Sequence, residues 1–305
     1  MSENYIQDYI KAGKAVIAAK KLAKKIIKPG MSFLEIANRV EAEIYKNDCE
    51  LAFPLNMSLN EVAAHYSPLI DDKKLIPEVG LLKIDCGAHY NGYIADSAMT
   101  INLDGDPQLN TYITAAEEAL EAAIEIFKPG TKLYELGAVI AQKIIEHGLR
   151  PITNLGGHEL KQYNLHAGPF IPNYKETNHD EILKPGDCYA CEPFSTSGVG
   201  TVINGKKSYI YRFNKRVKKN LSYELQNYMN KIETITNRLP FSPRLLENQK
   251  VIPKDKINRI INAFVRKKIL DHYPILIEQS KRFVAQQEHT IIIDFDGNTI
   301  VTTKE

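Results

Sequence analysis

Apolar positions recur at helical spacing in four stretches of the N-terminal half: Tyr9–Ile27, Phe33–Tyr45, Ile113–Phe127 and Tyr134–Gly148. They come in two pairs. Lys28-Pro29-Gly30 separates the first pair and Lys128-Pro129-Gly130 the second, one hundred residues on. Pro and Gly after a periodic run are helix-stop signals. Two copies of helix–KPG–helix predict a duplicated half-domain. The alternative is coincidence, since KPG recurs at Lys184–Gly186 outside this setting.

Alternating and β-branched runs predict strands between the helices. Leu81–Ala88 and Tyr93–Leu103 flank Asn91-Gly92, the dipeptide of a two-residue hairpin turn. Asp187–Phe194 and His289–Phe295 read as further strands. Ser58-x-x-Glu61 has the capping-box pattern and predicts a short helix ending at His65. Further on, Ser222–Arg238 and Lys254–Leu270 predict helices joined by RLPFSPR.

Charge divides the chain as the periodicity does. The net charge is +2. From Lys206 to Lys268, however, 17 Lys and Arg stand against 4 Asp and Glu, and an excess of 11 negative charges elsewhere balances them. This marks residues 206–270 as a basic, mainly helical insert in an α+β body formed by 1–205 and 271–305. At 305 residues, 44% hydrophobic and 25% charged, the chain has the composition of a globular protein. It shows no signal peptide and no apolar run of membrane-spanning length, so a cytoplasmic protein is expected. Cys188 and Cys191 form a CxxC, but positions i and i+3 of a strand face opposite ways, so reduced thiols are the simpler reading.

The hairpin carries the first chemical signal. A turn at Asn91-Gly92 pairs Tyr90 with Tyr93, placing Asp85 opposite Ala98 and Asp96 opposite Gly87. The two carboxylates are then diagonal neighbours on one face, about 7–8 Å apart between Cα atoms. Ionised and covered, they repel and lose hydration, so either one is protonated or a cation sits between them. Small and apolar neighbours argue against a solvated face. His158 and His166 in a Gly-rich loop, Glu192 before Pro193, and Glu288 at the head of an isoleucine strand are further ligand candidates. One nitrogen among carboxylates favours Mn²⁺, Fe²⁺ or Co²⁺ over a thiolate zinc site.

Five stretches in order, FPLNMSLNEVAAHY, KIDCGAHYNGYIADSAMT, GGHELKQYNLHAG, EPF and QQEHT, resemble the type II methionine aminopeptidases of the short, archaeal kind. The resemblance spans almost the whole chain. It implies the pita-bread fold: pseudo-twofold halves around a curved antiparallel sheet with outer helices, plus a winged-helix-like insert, here 206–270. It implies Asp85, Asp96, His158, Glu192 and Glu288 as ligands of two divalent ions (Co²⁺, Mn²⁺ or Fe²⁺, with Zn²⁺ a further candidate). Asp96 and Glu288 would bridge them. Glu192 would shuttle the proton, His166 would contact the substrate carbonyl, and His65 would lie near the free amine. Phe53, Leu165, Phe194 and Tyr273 would hold the methionine side chain.

The implied activity is removal of the initiator methionine from nascent chains by a monomer. The basic insert offers a contact to ribosomal RNA. A prolidase-like X-Pro dipeptidase and a non-catalytic RNA- or protein-binding member of the fold are the alternatives. The FPxNxSxNExAAH stretch and the insert favour the methionine enzyme, and all five ligands are present. Two positions depart from the family pattern. Gln287 stands where an aromatic or apolar residue is usual, and Gly156 where Ser is frequent.

Overall fold

The structure, a computed structural model, describes residues 4–178, 180–214 and 221–305. Helices α1 (Asn4–Ile26) and α2 (Phe33–Lys46) form the first pair, and α3 (Pro107–Glu125) and α4 (Leu133–Glu146) the second. Gly30 (φ 82°) and Gly130 (φ 94°) both adopt the left-handed backbone that the KPG turns require. The two turns are tied alike: the Gly30 N–H donates to Ile76 O at 2.8 Å and the Gly130 N–H to Leu183 O at 2.9 Å. Isolated bridges Ser32–Leu75 and Lys132–Ile182 repeat the match.

Strands β1 (Glu50–Leu59), β2 (Val62–Ala64), β3 (Leu81–Tyr90) and β4 (Tyr93–Asn102) follow the first helix pair. After the second come β5 (Arg150–Pro151), β6 (Gly156–Glu159), β7 (Phe170–Pro172), β8 (Cys188–Cys191) and β9 (Phe194–Thr196). Next are β10 (Val202–Phe213), helices α5 (Tyr223–Thr236), α6 (Pro243–Asn248) and α7 (Lys254–Arg266), and β11 (Leu270–Glu278). The chain closes with β12 (Val284–Gln286), β13 (His289–Ile293) and β14 (Thr299–Val301). Among the described residues the strands form four antiparallel sheets, ordered β1-β3-β4, β14-β13-β8-β6-β7, β10-β11-β2 and β12-β9-β5.

Each helix pair buries its apolar stripe on its own sheet. Ala12, Val16, Ala19, Phe33, Ile36 and Val40 pack against Ile84, Cys86 and Ala88. Leu120, Leu133, Leu136 and Ile140 pack against Tyr189, Cys191 and Ile291. Cys188 lies in a different apolar cluster from Cys191, as opposite faces of β8 require. All four thiols are free.

Three local expectations are corrected. No helix starts at Ser58. That residue is buried in β1 opposite Lys83, Asn60 turns the chain at φ 52°, and β2 then runs to Ala64. Pairing along the whole of β1 outweighs a local capping pattern. Second, the strand expected over 187–194 breaks at Glu192-Pro193, since Pro193 has no ladder N–H. Third, RLPFSPR is not only a connector: its last Pro-Arg opens α6.

Helices α5, α6 and α7 share an apolar cluster that includes Ile232, Leu246, Ile257, Ile260 and Phe264. Strands β10 and β11 pair at its base. Of the basic segment, residues 215–220, including Lys215, Arg216, Lys218 and Lys219, lie outside the described residues. Arg244 is not on a basic face at all. It is 1% exposed and pairs with Glu41 of α2, Nη2 to Oε1 at 2.8 Å.

Candidate metal centre

The hairpin register is the one its turn dictates: Asp85 pairs with Ala98 and Asp96 with Gly87. Both carboxylates therefore face the same side of β3-β4. The strand breaks noted above now acquire a use. β8 stops before Glu192, and β12 stops before Gln287-Glu288, so both acids lie on short linkers between strands. The linker holding Glu288 docks on β4: its N–H donates to Ala98 O at 3.2 Å, and Ser97 Oγ donates to Glu288 O at 2.6 Å. Two residues further, Thr290 exchanges two hydrogen bonds with the Asp96 main chain, at 2.7 and 2.8 Å. These contacts bring together acids that lie 192 positions apart in the chain.

His158 enters from β6. Its Nε2 lies 3.7 Å from Asp96 Oδ2 and 3.8 Å from Glu192 Oε1. Donor atoms of Asp96, His158 and Glu288 lie within 4.8 Å of one another. Asp96 and Glu288 are 4% and 2% exposed. Asp85 Oδ1, Asp96 Oδ1 and Glu288 Oε2 are buried without a hydrogen-bond partner. An orphaned buried carboxylate oxygen costs several kcal/mol on general grounds. The donor set, four carboxylates and one imidazole, fits a hard or borderline divalent cation.

The electrostatics agree. Burial pushes the Asp85 carboxyl up to about 7. Burial, then Asp85 and Glu192, raise Asp96 well above the carboxylate range. Burial and the neighbouring acids raise Glu192 and Glu288 likewise, and a Gln286 hydrogen bond opposes the shift at Glu192. Burial lowers His158 to about 4, which leaves it neutral and able to act as a ligand.

One cavity of about 220 Å³ is lined by all five of these residues. His65, His166, Phe53, Leu165, Phe194 and Tyr273, also singled out from sequence, line it too. His65 follows β2 at φ 68°, and its Nδ1 lies 3.1 Å from Pro274 O. A carbonyl only accepts, so Nδ1 carries the proton and Nε2 keeps its lone pair. The Tyr273 ring stands 5.3 Å from His65 and 6.1 Å from His166. Burial, reinforced by His158, holds His166 well below the usual histidine range.

Two positions gain a physical account. Gln287 faces α3, where its Nε2 donates to Glu117 Oε1 at 3.0 Å, so a polar side chain is satisfied there. Gly156 admits no side chain, because a Cβ would meet Ile171 O at 2.2 Å. The sequence reading gave no role to Gln286, whose Nε2 donates to Glu192 Oε2 at 3.1 Å. It also passed over Asn56, buried opposite Asp85. An asparagine amid the apolar FPLNM run was the available signal.

With this geometry in view, the fold and site define a metallopeptidase. The profile of Metallopeptidase family M24 matches residues 7–230. The methionine aminopeptidase of Saccharolobus solfataricus is 41% identical over 304 residues, 100% of this chain and 99% of that one. That of Pyrococcus horikoshii is 38% identical, with 97% and 99% covered. The chain belongs to Metallopeptidase family M24 and, within it, to the methionine aminopeptidases. Solved structures share the fold at lower identity. A Thermotoga maritima methionine aminopeptidase has a TM-score of 0.72 at 22% identity, covering 100% of this chain and 98% of that one. A thermophilic Arx1 reaches 0.86 at 15%, with 99% and 91% covered. The Pyrococcus furiosus prolidase reaches 0.62 at 20%, and this chain spans 65% of it.

Proposed function

We propose that this chain removes the N-terminal methionine from peptides by metal-assisted hydrolysis, with Asp85, Asp96, His158, Glu192 and Glu288 holding two divalent ions. The observation that carries this reading is the set of buried, partnerless carboxylate oxygens at one end of an apolar-walled cavity. Mn²⁺, Fe²⁺ and Co²⁺ suit the donors best, with Zn²⁺ a further candidate. Bound there, such ions supply an activated water and polarise the scissile carbonyl.

The chain's own residues do the rest. Glu192 accepts a proton and returns it to the leaving amine, while Gln286 holds its Oε2 in place. His166, kept neutral, donates an N–H to the carbonyl oxygen as charge develops on it. The free Nε2 of His65 accepts a hydrogen bond from the substrate's α-amino group. Phe53, Leu165, Phe194 and Tyr273 enclose the thioether, for which apolar and aromatic walls are suited.

This reading takes the enzyme as a monomer. Residues 1–205 and 271–305 form the catalytic body. The insert 206–270 presents basic groups that would meet ribosomal RNA near emerging nascent chains, a contact that weakens with salt. A cytoplasmic enzyme is the reading that goes with such a contact. Among the described residues no helix is long and apolar enough to cross a membrane.

Hydrolysis of Met-Ala-Ser and Ala-Pro peptides with added Mn²⁺ or Co²⁺ tests the activity. Methionine release from the first peptide is expected, with Glu192→Gln slower by about 10²–10⁴-fold. Cleavage of the proline peptide alone would overturn the substrate assignment. Undiminished release by Glu192→Gln would overturn the mechanism.

A further inference from the structure

Helix α1 presents Ala12, Ala15, Val16, Ala19 and Ala23 to the first sheet. Lys20 flanks that stripe and turns inward. Its Nζ donates to Ser97 Oγ at 2.7 Å and lies 3.4 Å from Ala98 O. Ser97 passes the contact on, donating its own hydrogen to the Glu288 main-chain oxygen at 2.6 Å. Ala98 pairs with Asp85 across the hairpin and accepts the Glu288 N–H. A lysine ammonium thus sits behind the point where β3, β4 and the Glu288 linker meet.

The charges make this position meaningful. Ionised, the four carboxylates of the site carry four negative charges, and His158 adds none. Among the described residues, Lys20 is the cation whose charge acts on both Asp85 and Glu288. Its neighbour Lys21 points outward to Glu305 at 3.2 Å. Lysine has no need of such a site for packing alone, since a methionine would cover the same apolar surface without desolvating an ammonium.

We propose that Lys20 is a resident cation of the metal centre: a positioning residue that offsets carboxylate repulsion in the metal-free protein and, through Ser97, fixes the Glu288 main chain. This rests on the reading of the four carboxylates as metal ligands. The resident charge has opposite consequences in the two states. Without ions it stabilises the fold. With ions it is a like charge beside two dications, and it weakens their binding. Removing it therefore destabilises the metal-free protein and tightens the metal.

The test measures melting temperature with and without Mn²⁺, and the Mn²⁺ dissociation constant by calorimetry, for wild type, Lys20→Met and Lys20→Arg. Wild type must first bind Mn²⁺ saturably; if it does not, the metal reading fails and Lys20 falls with it. Given that binding, Lys20→Met is expected to melt about 2–4 °C lower without metal. It should bind Mn²⁺ about five- to tenfold more tightly, as a lost like charge of about 1 kcal/mol implies. Lys20→Arg should restore both values to within about twofold and 1 °C. A Lys20→Met protein that folds only with Mn²⁺ shows the same effect at its limit. Equal destabilisation with and without Mn²⁺, weaker or unchanged metal binding, or failure to fold in either condition would assign Lys20 a merely structural role.

Discussion

Arg244 and Glu41 lie in the interior with partners on every side, whereas Asp96 and Glu288 lie as deep with oxygens that no protein group reaches. The first cluster ties helix α6 to helix α2. Arg244 also donates to Asn38 Oδ1 at 3.2 Å and to Ser67 Oγ at 3.4 Å, and Glu41 Oε1 accepts the Leu55 N–H at 2.9 Å. The second gathers like charges and holds them with main-chain contacts to Ala98 and Thr290. Burial alone therefore does not mark a functional site. A buried charge whose hydrogen bonds are complete is a structural tie. Buried like charges with empty lone pairs are a binding site awaiting a cation.

Breaking the structural tie should give the largest effect on stability. Arg244→Met strands the Glu41 carboxylate and is expected to lower stability by about 3–5 kcal/mol in denaturant titration. Adding Glu41→Gln removes the stranded charge and keeps an acceptor for Leu55, recovering about 1–2 kcal/mol. Mn²⁺ affinity should stay unchanged in the folded variants. If Arg244→Met instead altered metal binding, the two clusters would not be the separate devices described here.

A smaller effect sharpens the site half of the comparison. Folding raises the pKa of Asp85 to about 7, and those of Asp96, Glu192 and Glu288 well above the usual range. Their unfolded values lie near 4. A raised folded value means that the metal-free fold holds protons the unfolded chain has released. The carboxylates' contribution is thus fully present below about pH 4 and is lost as pH rises, for Asp85 through about 7. Bound cations replace those protons. The gap between Mn²⁺-loaded and metal-free melting temperatures should widen from pH 6 to pH 8, by several degrees. Other shifted groups, such as the buried Lys83, enter both curves and cancel. A gap that narrowed over this range would contradict the assignment of the raised values to the ion site.

Much of this was legible in the chain before any coordinates. The KPG echo implied two equivalent halves because helix periodicity and stop signals are local. The Asn91-Gly92 turn fixed the register of β3-β4, and with it the common face of Asp85 and Asp96, because a two-residue hairpin leaves no freedom. The convergence of His158, Glu192 and Glu288 on that face was not derivable from spacing and came by resemblance. It depends on linkers that dock through main-chain contacts far apart in sequence. Lys20, Gln286 and Asn56 escaped notice for the same reason: their roles depend on partners 77, 94 and 29 positions away. The supposed helix at Ser58 shows the opposite failure, a local signal overruled by long-range pairing.

The central claim is that the partnerless carboxylates exist to hold metal, and calorimetric titration of Mn²⁺ into the metal-free protein tests it most directly. Performed at pH 7 in buffers of different ionisation enthalpy, it counts both ions bound and protons released. The account predicts saturable binding of two ions per chain with net proton release, lost in Asp96→Asn. Absence of saturable binding, or binding equally strong in Asp96→Asn, would contradict it.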